Sequence, residues 1–279
     1  MNSPTSDLTI LSAAALRAEI SARNQQRAGN FTHELTWSSL PSVLYAESNG
    51  LHGNFLPASW ARIQANPAWR KRLAKSYTAG RYVPRAGDRR RFELDCATSS
   101  DALLMNIFCY PKVLHRPVLC ALLGIEPGPH SALEPAFGFR PAIPRLHGHI
   151  DRTEIDMRLG TLLIEAKLTE TDFQRAPLHR LRNYPQLTGI FDVERLPAAN
   201  GHVHSWQLIR GVLAAHATNT SFLVFCDRRR PDLIDRWFTI MAAVSSSALR
   251  TRLGLLTWQE IAATLPARLQ QFLDEKYGI

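Results

Sequence analysis

The chain has 279 residues, 45% of them hydrophobic, which suits one large domain or a core domain with added segments. Its apolar runs stop well short of the roughly 18 residues that span a membrane. The first 20 residues show no basic start, apolar block and small-residue cleavage site, so a soluble, cytoplasmic protein with no membrane partner is expected. A formal charge of +9, carried mostly by arginine, favours polyanionic partners, nucleic acid first.

Taken in chain order, the N-terminal region reads as mainly helical. Leu8, Leu11, Ala15, Leu16 and Ile20 follow 3.6-residue spacing behind Ser6 or Asp7 as a cap. In NPAWRKRLAKS, Asn66 can cap a helix and Pro67 suits its first position. SSDALLMNIF, capped by Ser99 or Ser100, is apolar nearly all round, the mark of a buried helix. A proline-rich stretch from Gly124 to Gly148 reads as a long loop, and a strand pair follows from Thr153 to Glu170. Next come a helical stretch between Asp172 and Ile190, a helix from about Ser205, and a buried strand from Ser221 to Cys226. Two or three helices, interrupted at Pro266, close the chain. This order describes an α/β fold with mixed strand pairing. It divides into a mainly helical N-terminal region (1–90), a core (91–230) and a C-terminal helical region (231–279).

The strand pair carries the chemistry. A two-residue type II′ turn at Gly160 and Thr161 would pair Leu159 with Leu162, Met157 with Ile164 and Ile155 with Ala166 on one apolar face. The other face then holds Glu154, Asp156, Arg158, Leu163, Glu165 and Lys167, with Asp156 directly opposite Glu165. Carboxylates so placed have Cβ atoms about 4.5–5.5 Å apart and repel, so a cation should sit between them. Lys167 is one choice; Mg2+, which prefers oxygen ligands, is the other. The plainer alternative is a half-exposed hairpin whose Glu–Lys neighbours are surface pairs worth under about 1 kcal/mol. The apolar flanking sequence argues that helices cover both sheet faces, which would put the acidic cluster in a cleft.

Asp156, eight intervening residues, then Glu165-Ala166-Lys167 resembles the D…(D/E)-x-K signature of the PD-(D/E)XK nuclease superfamily, the restriction-endonuclease-like phosphodiesterases. The resemblance spans Glu93 to Cys226; one departure is Ile155, where the family pattern has proline. Gln174 and Tyr184 are loosely similar to a glutamine and a tyrosine found after the family's lysine. It implies a restriction-endonuclease-like core, a central mixed sheet flanked by helices, with N- and C-terminal helical additions. It further implies that Asp156, Glu165 and the carbonyl of Ala166 bind Mg2+, with Mn2+ as a substitute, and that Lys167 assists the attacking water. A carboxylate from the preceding helix would complete the catalytic set, with Glu93 preferred to Asp101 and with Glu154 as an outer ligand. The implied function is metal-dependent hydrolysis of phosphodiester bonds in DNA, as by an endodeoxyribonuclease. The alternative is a DNA-binding or scaffold protein that keeps the fold without cutting. Strandedness and sequence specificity are left open; a homodimer is compatible with the chain.

Other features carry less. GDRRRF (87–92) and DRRRPD (227–232) are either phosphate contacts or solvated turns. The pairs HGH (147–149) and HVH (202–204) lack a third ligand and read as ordinary histidines. The six tryptophans are expected mostly in the core, and Cys96, Cys109, Cys120 and Cys226 as reduced, buried thiols.

Overall fold

A computed structural model describes residues 9–37, 39–76, 92–126 and 133–279, and the elements below belong to these. Helix α1 (Ala13–Ala28) begins behind Ser12, whose Oγ accepts the Ala15 N–H at 3.1 Å; Ser6, Asp7 and Leu8 lie outside the described residues. The N-terminal region is less helical than its pattern predicts. It contains the hairpins β1 (His33–Leu35) with β2 (Val43–Tyr45) and β3 (Glu47–Ser48) with β4 (Leu51–His52). Strands this short leave no readable alternation. Then follow α2 (Pro57–Ala65) and α3 (Pro67–Arg72), the latter capped by Asn66 as expected, with its Oδ1 accepting from Ala68 and Trp69 N–H at 3.0 and 3.3 Å. Helix α4 (Ser100–Phe108) is capped by Ser99 and buried along its whole length, and α5 (Pro117–Leu123) follows.

The proline-rich segment, expected as a loop, supplies β5 (Ala136–Phe139) and β6 (Ile143–Pro144), which pairs with β7 (Ile150–Asp151) just beyond it. Edge position explains this correction: β5 closes one side of the main sheet and needs only one hydrogen-bonded neighbour, which neighbouring prolines permit. The central hairpin is β8 (Ile155–Leu159) and β9 (Leu162–Ala166), and its observed register, Met157 with Ile164 and Leu159 with Leu162, is the predicted one. Gly160 has φ +57° while Thr161 has no positive φ, as a II′ turn requires.

Between Asp172 and Ile190 no long helix forms. Pro177 and Pro185 break it into β10 (Arg175–Pro177), a 3-10 run over Leu178–Asn183 and the single turn α6 (Leu187–Ile190). Strands β11 (Ala198–Ala199) and β12 (His202–His204) join β10 in a small sheet. Helix α7 (Trp206–Thr218) and β13 (Ser221–Cys226) stand as predicted. The C-terminal region has α8 (Pro231–Ala243), α9 (Ser247–Arg250), α10 (Trp258–Ala262) and α11 (Ala267–Tyr277), but also β14 (Leu253–Thr257), which pairs parallel with β13. This strand of five residues, bounded directly by helical turns, has no punctuation that separates it from them in sequence.

The main sheet runs β14-β13-β9-β8-β5, parallel among β14, β13 and β9 and antiparallel at β8 and β5. Leu163, Phe222 and Val224 pack with Leu208, Val212 and Trp237 of α7 and α8. Met157, Ile164 and Phe225 pack on the opposite side with Leu16, Leu103, Ile261 and Leu273 of α1, α4, α10 and α11. Helices therefore cover both faces, the α/β layering expected from the sequence. Ile155 is the exception to the predicted faces, since it clusters with Ile143 and Phe173 rather than with Met157. All four cysteines are buried and unpaired. Five tryptophans are buried, while Trp37 is 74% exposed. Among the described residues no helix is long and apolar enough to cross a membrane.

The contact of α7 with the sheet has no slack at Gly211, where an added Cβ would sit 2.2 Å from the Phe222 ring. Gly211→Ala is expected to cost about 1–3 kcal/mol through forced displacement, outweighing the gain in helix propensity. A lowered urea midpoint at unchanged slope checks this; an unchanged or raised midpoint would show that α7 shifts freely.

Candidate active site

The C-terminal end of β9 is held from two directions. The Lys167 N–H donates to the Phe225 carbonyl at 2.8 Å, and the Trp258 indole N–H donates to the Lys167 carbonyl at 2.7 Å. This places Lys167, only 5% exposed, beside Glu165, at 3%, with Nζ 2.9 Å from Glu165 Oε1 and 5.7 Å from the centre of the Phe173 ring. Across the hairpin, Asp156 Oδ2 accepts the Ala166 N–H at 2.8 Å. The register thus brings Asp156, Glu165 and Lys167 together on one sheet face.

A cavity of about 450 Å3 opens over Asp156, Ala166 and Lys167, while the buried Glu165 is not among the residues that line it. Its walls come from distant parts of the chain, and both Glu93 and Asp101 reach it. Glu93 stands at the start of a 3-10 turn whose first N–H donates to the Lys75 carbonyl at 2.8 Å. Glu170 is tied down by the Ser100 hydroxyl at 2.7 Å and the Leu168 N–H at 2.6 Å. Gln174 also lines the cavity, as does Gln207, whose buried Oε1 has no hydrogen-bond partner among the described residues. Tyr184 does not; its hydroxyl donates to Asp151 at 2.5 Å, elsewhere on the surface.

Two cations that no spacing in the sequence marks complete the cluster. Asp101 lies in the first turn of α4, where the helix dipole favours an anion, and it accepts from Arg72 at 3.0 Å and Lys75 at 2.6 Å. Glu154 accepts from Arg72 at 2.8 Å and Arg140 at 3.1 Å, with Lys75 3.5 Å away. Arg72 gains this position through Gly138, at φ +65°, where any Cβ would lie 2.2 Å from the guanidinium. Only glycine suits both the backbone and the space.

Charge balance differs sharply between these carboxylates. Burial alone would raise the Glu154 carboxyl, but Arg72 and Lys75 outweigh it and hold it at about 2. Asp156 goes the other way. Burial, then the facing charges of Glu165 and Asp101, push it well above the usual carboxylate range despite Lys167 and Lys75. For Lys167, burial works against the charge, yet Glu165, Glu170 and Asp156 prevail and raise it, so it remains an ammonium.

In the arginine cluster at 227–232, Arg229 and Arg230 are tied into internal structure, while Arg228 is exposed. Arg229 pairs with Asp227 at 2.7 Å and Glu19 at 2.9 Å, and Arg230, 1% exposed, pairs with Asp232 at 2.8 Å. Burial accounts for this, since each guanidinium needs a carboxylate to offset its desolvation. Of GDRRRF, residues 87–91 lie outside the described residues. His147 and His149 are exposed, and His202 and His204 sit on β12 away from the acidic cavity.

Asp156 and Glu165 are oxygen donors of the kind a hard divalent cation takes. Among the described residues no three His, Cys, Asp or Glu side chains converge as a closed cage. Mg2+ does not need one, because it commonly takes one or two carboxylates and fills its octahedron with water. Asp156 lies beside the charges of Glu165 and Asp101, a surplus of negative charge where such an ion would bind. Removing that charge should stabilise the metal-free protein. A carboxyl raised in the folded state binds more protons there than when unfolded, so stability falls as pH rises through that window. Asp156→Asn is therefore expected to raise Tm at neutral pH in a chelator by about 2 °C or more, one kcal/mol being roughly 2–4 °C for longer domains. The gain should vanish near pH 4 and below, where both forms are uncharged; an equal or lower Tm at neutral pH would contradict the electrostatics.

No curated protein and no solved structure shows a significant match to the chain. Residues 19–278 match the family described as Restriction Endonuclease associating with ARP, REase-ARP. With the match covering nearly its whole length, the protein belongs to this restriction endonuclease family.

Proposed function

We propose that the protein is a nuclease that hydrolyses phosphodiester bonds in DNA with the help of Mg2+, Mn2+ serving as a substitute. The observation that carries this reading is the meeting of Asp156, Glu165 and a charged Lys167 on one hairpin face, with Asp156 and Lys167 lining one cavity, in a chain of the restriction endonuclease family. The hairpin signature read as PD-(D/E)XK-like supports the same chemistry.

Asp156, Glu165 and the Ala166 carbonyl would hold the cation, with Glu93 on the cavity wall as the additional carboxylate. When bound, such an ion lowers the pKa of a water and offsets charge developing on the phosphoryl group. The chain's own groups do the rest. Lys167 stays protonated and so acts through its three N–H donors, orienting water and meeting the oxygen that gains charge, rather than as a general base. Lys75, on the same wall, supplies a second positive charge toward a phosphate, and Asp101 holds it there. Burial of this set in low dielectric makes each of these interactions stronger than it would be in water.

Cleavage of plasmid and single-stranded DNA by the purified chain tests the reading. We expect activity with Mg2+ or Mn2+, none in EDTA, and losses on the order of 10²–10³ or more for Asp156→Asn and Lys167→Ala. If the wild type cuts neither substrate with either metal, the chain is a binding or scaffold protein instead. A second measurement uses the raised carboxyl of Asp156. Because the carboxylate must ionise to bind a cation, Mg2+ affinity measured by calorimetry should still be rising with pH above the usual carboxylate range, and Asp156→Asn should flatten that rise. The family description also names an association with ARP, which we carry over as a protein partner to be sought by co-purification with the full chain.

A further inference from the structure

A second cavity, of about 380 Å3, lies where α7 meets β7 and the 3-10 run at 178–183. Its floor is the edge-to-face pair of Tyr184 and Trp206, ring centres 6.0 Å apart. Among the described residues Asp151 is the one carboxylate in the lining, and it is consumed within the wall. Arg210 grips it at 2.8 and 2.6 Å through Nε and Nη2, and the Tyr184 hydroxyl donates at 2.5 Å. Arg210 and Tyr184, with the nearby charge of Arg145, hold its carboxyl below the usual range against the effect of burial.

The remaining donors point to an anion. Three arginines, Arg145, Arg180 and Arg210, line the hollow against Asp151 alone, a surplus of two positive charges before His179 is considered. Arg145 lies over the Tyr184 ring, 5.9 Å from its centre, and its buried Nε has no hydrogen-bond partner among the described residues. Among the same residues, Arg145 and Arg180 have no ion-pair partner within reach of their guanidinium groups. Guanidinium forks match the oxygens of a phosphate, and a buried N–H left without an acceptor is costly until one arrives.

The position relates this hollow to the acidic cavity. Adjacent residues at the start of α7 divide between the two: Gln207 faces the acidic cavity, while Trp206 and then Arg210 face this one. Asp151 precedes Asp156 by five residues, at most about 18 Å of extended chain, or about five phosphate steps at 3.4 Å along one duplex strand.

We infer that this cavity is a phosphate-binding subsite that grips the DNA strand a few nucleotides from the bond to be cut, Arg145 and Arg180 supplying the grip and Asp151 fixing Arg210 as its wall. The inference rests on the nucleic-acid reading above but not on cleavage. The phosphoryl group is either a strand's 5′ end or an internal linkage.

Binding of the full-length chain to labelled oligonucleotides in EDTA, followed by anisotropy across salt, tests it. Arg145→Gln and Arg180→Gln should each make the plot of log K against log salt shallower by roughly 0.7–0.9, about a threefold change in affinity between 50 and 200 mM salt. Inorganic phosphate should compete with the wild type more strongly than with the double variant. A loss confined to 5′-phosphorylated strands assigns the subsite to the strand end, and an equal loss on 5′-hydroxyl strands assigns it to an internal linkage. Arg180 is exposed, so its substitution carries the test even if Arg145→Gln folds poorly. Unchanged slopes and affinities, or a wild type that binds no nucleic acid, overturn the subsite. A wild type that cleaves DNA while Arg180→Gln binds normally would overturn the subsite and leave the nuclease reading intact; binding lost in the variants of a chain that never cuts would do the reverse.

Discussion

The structure around the acidic cavity is organised by one electrostatic constraint: Asp156 faces Glu165 and Asp101 in a place where water screens them poorly. Three cations answer it, and they come from different parts of the chain. Lys167 is built into the end of β9, whereas Arg72 and Lys75 arrive at the end of α3. Buried ion pairs repay their desolvation only when the geometry is good, so the packing of α3, α4 and the hairpin must be settled together. The region before residue 90 is accordingly part of the site's charge balance, not an appendage to it.

The same constraint separates the two members of the hairpin motif chemically. Lys167 is kept charged by three surrounding carboxylates, while Asp156 is kept eager for a positive partner. In the proposed nuclease, charges set in this way before a substrate arrives would be a source of electrostatic catalysis. Trp258 and Phe225 contribute by fixing the Lys167 backbone, which limits how far the ammonium can wander. That makes β13, α10 and the covering helices relevant to chemistry they do not touch.

Local signals were legible where local physics decides. The hairpin register followed from Gly160 and the alternation around it, and the Ser99 and Asn66 caps from the hydroxyl and amide next to helical patterns. Helix α7 and strand β13 were readable from their apolar periods. Signals failed where neighbours decide. Strand β5 sits among prolines and exists because the edge of β8 offers it a ladder; β14 exists because β13 does. The stretch after Asp172 carries enough apolar spacing for a helix, but Pro177 and Pro185 left only short turns. DRRRPD stayed open between phosphate contacts and a solvated turn because composition cannot tell an exposed arginine from one paired at 1% exposure, as Arg230 is.

By itself, then, the sequence determined that Asp156, Glu165 and Lys167 share one face of a strand pair, because side-chain alternation and a two-residue turn are properties of adjacent residues. It also determined that the pair would be covered, since both flanks are rich in apolar residues. Only the tertiary structure decided which charges meet that face. Arg72 and Lys75 lie some eighty residues upstream, and the approach of Arg72 depends on Gly138 leaving room for its guanidinium across β5. Charge pairing across such separations is set by packing, and packing leaves no period in the chain from which it can be read.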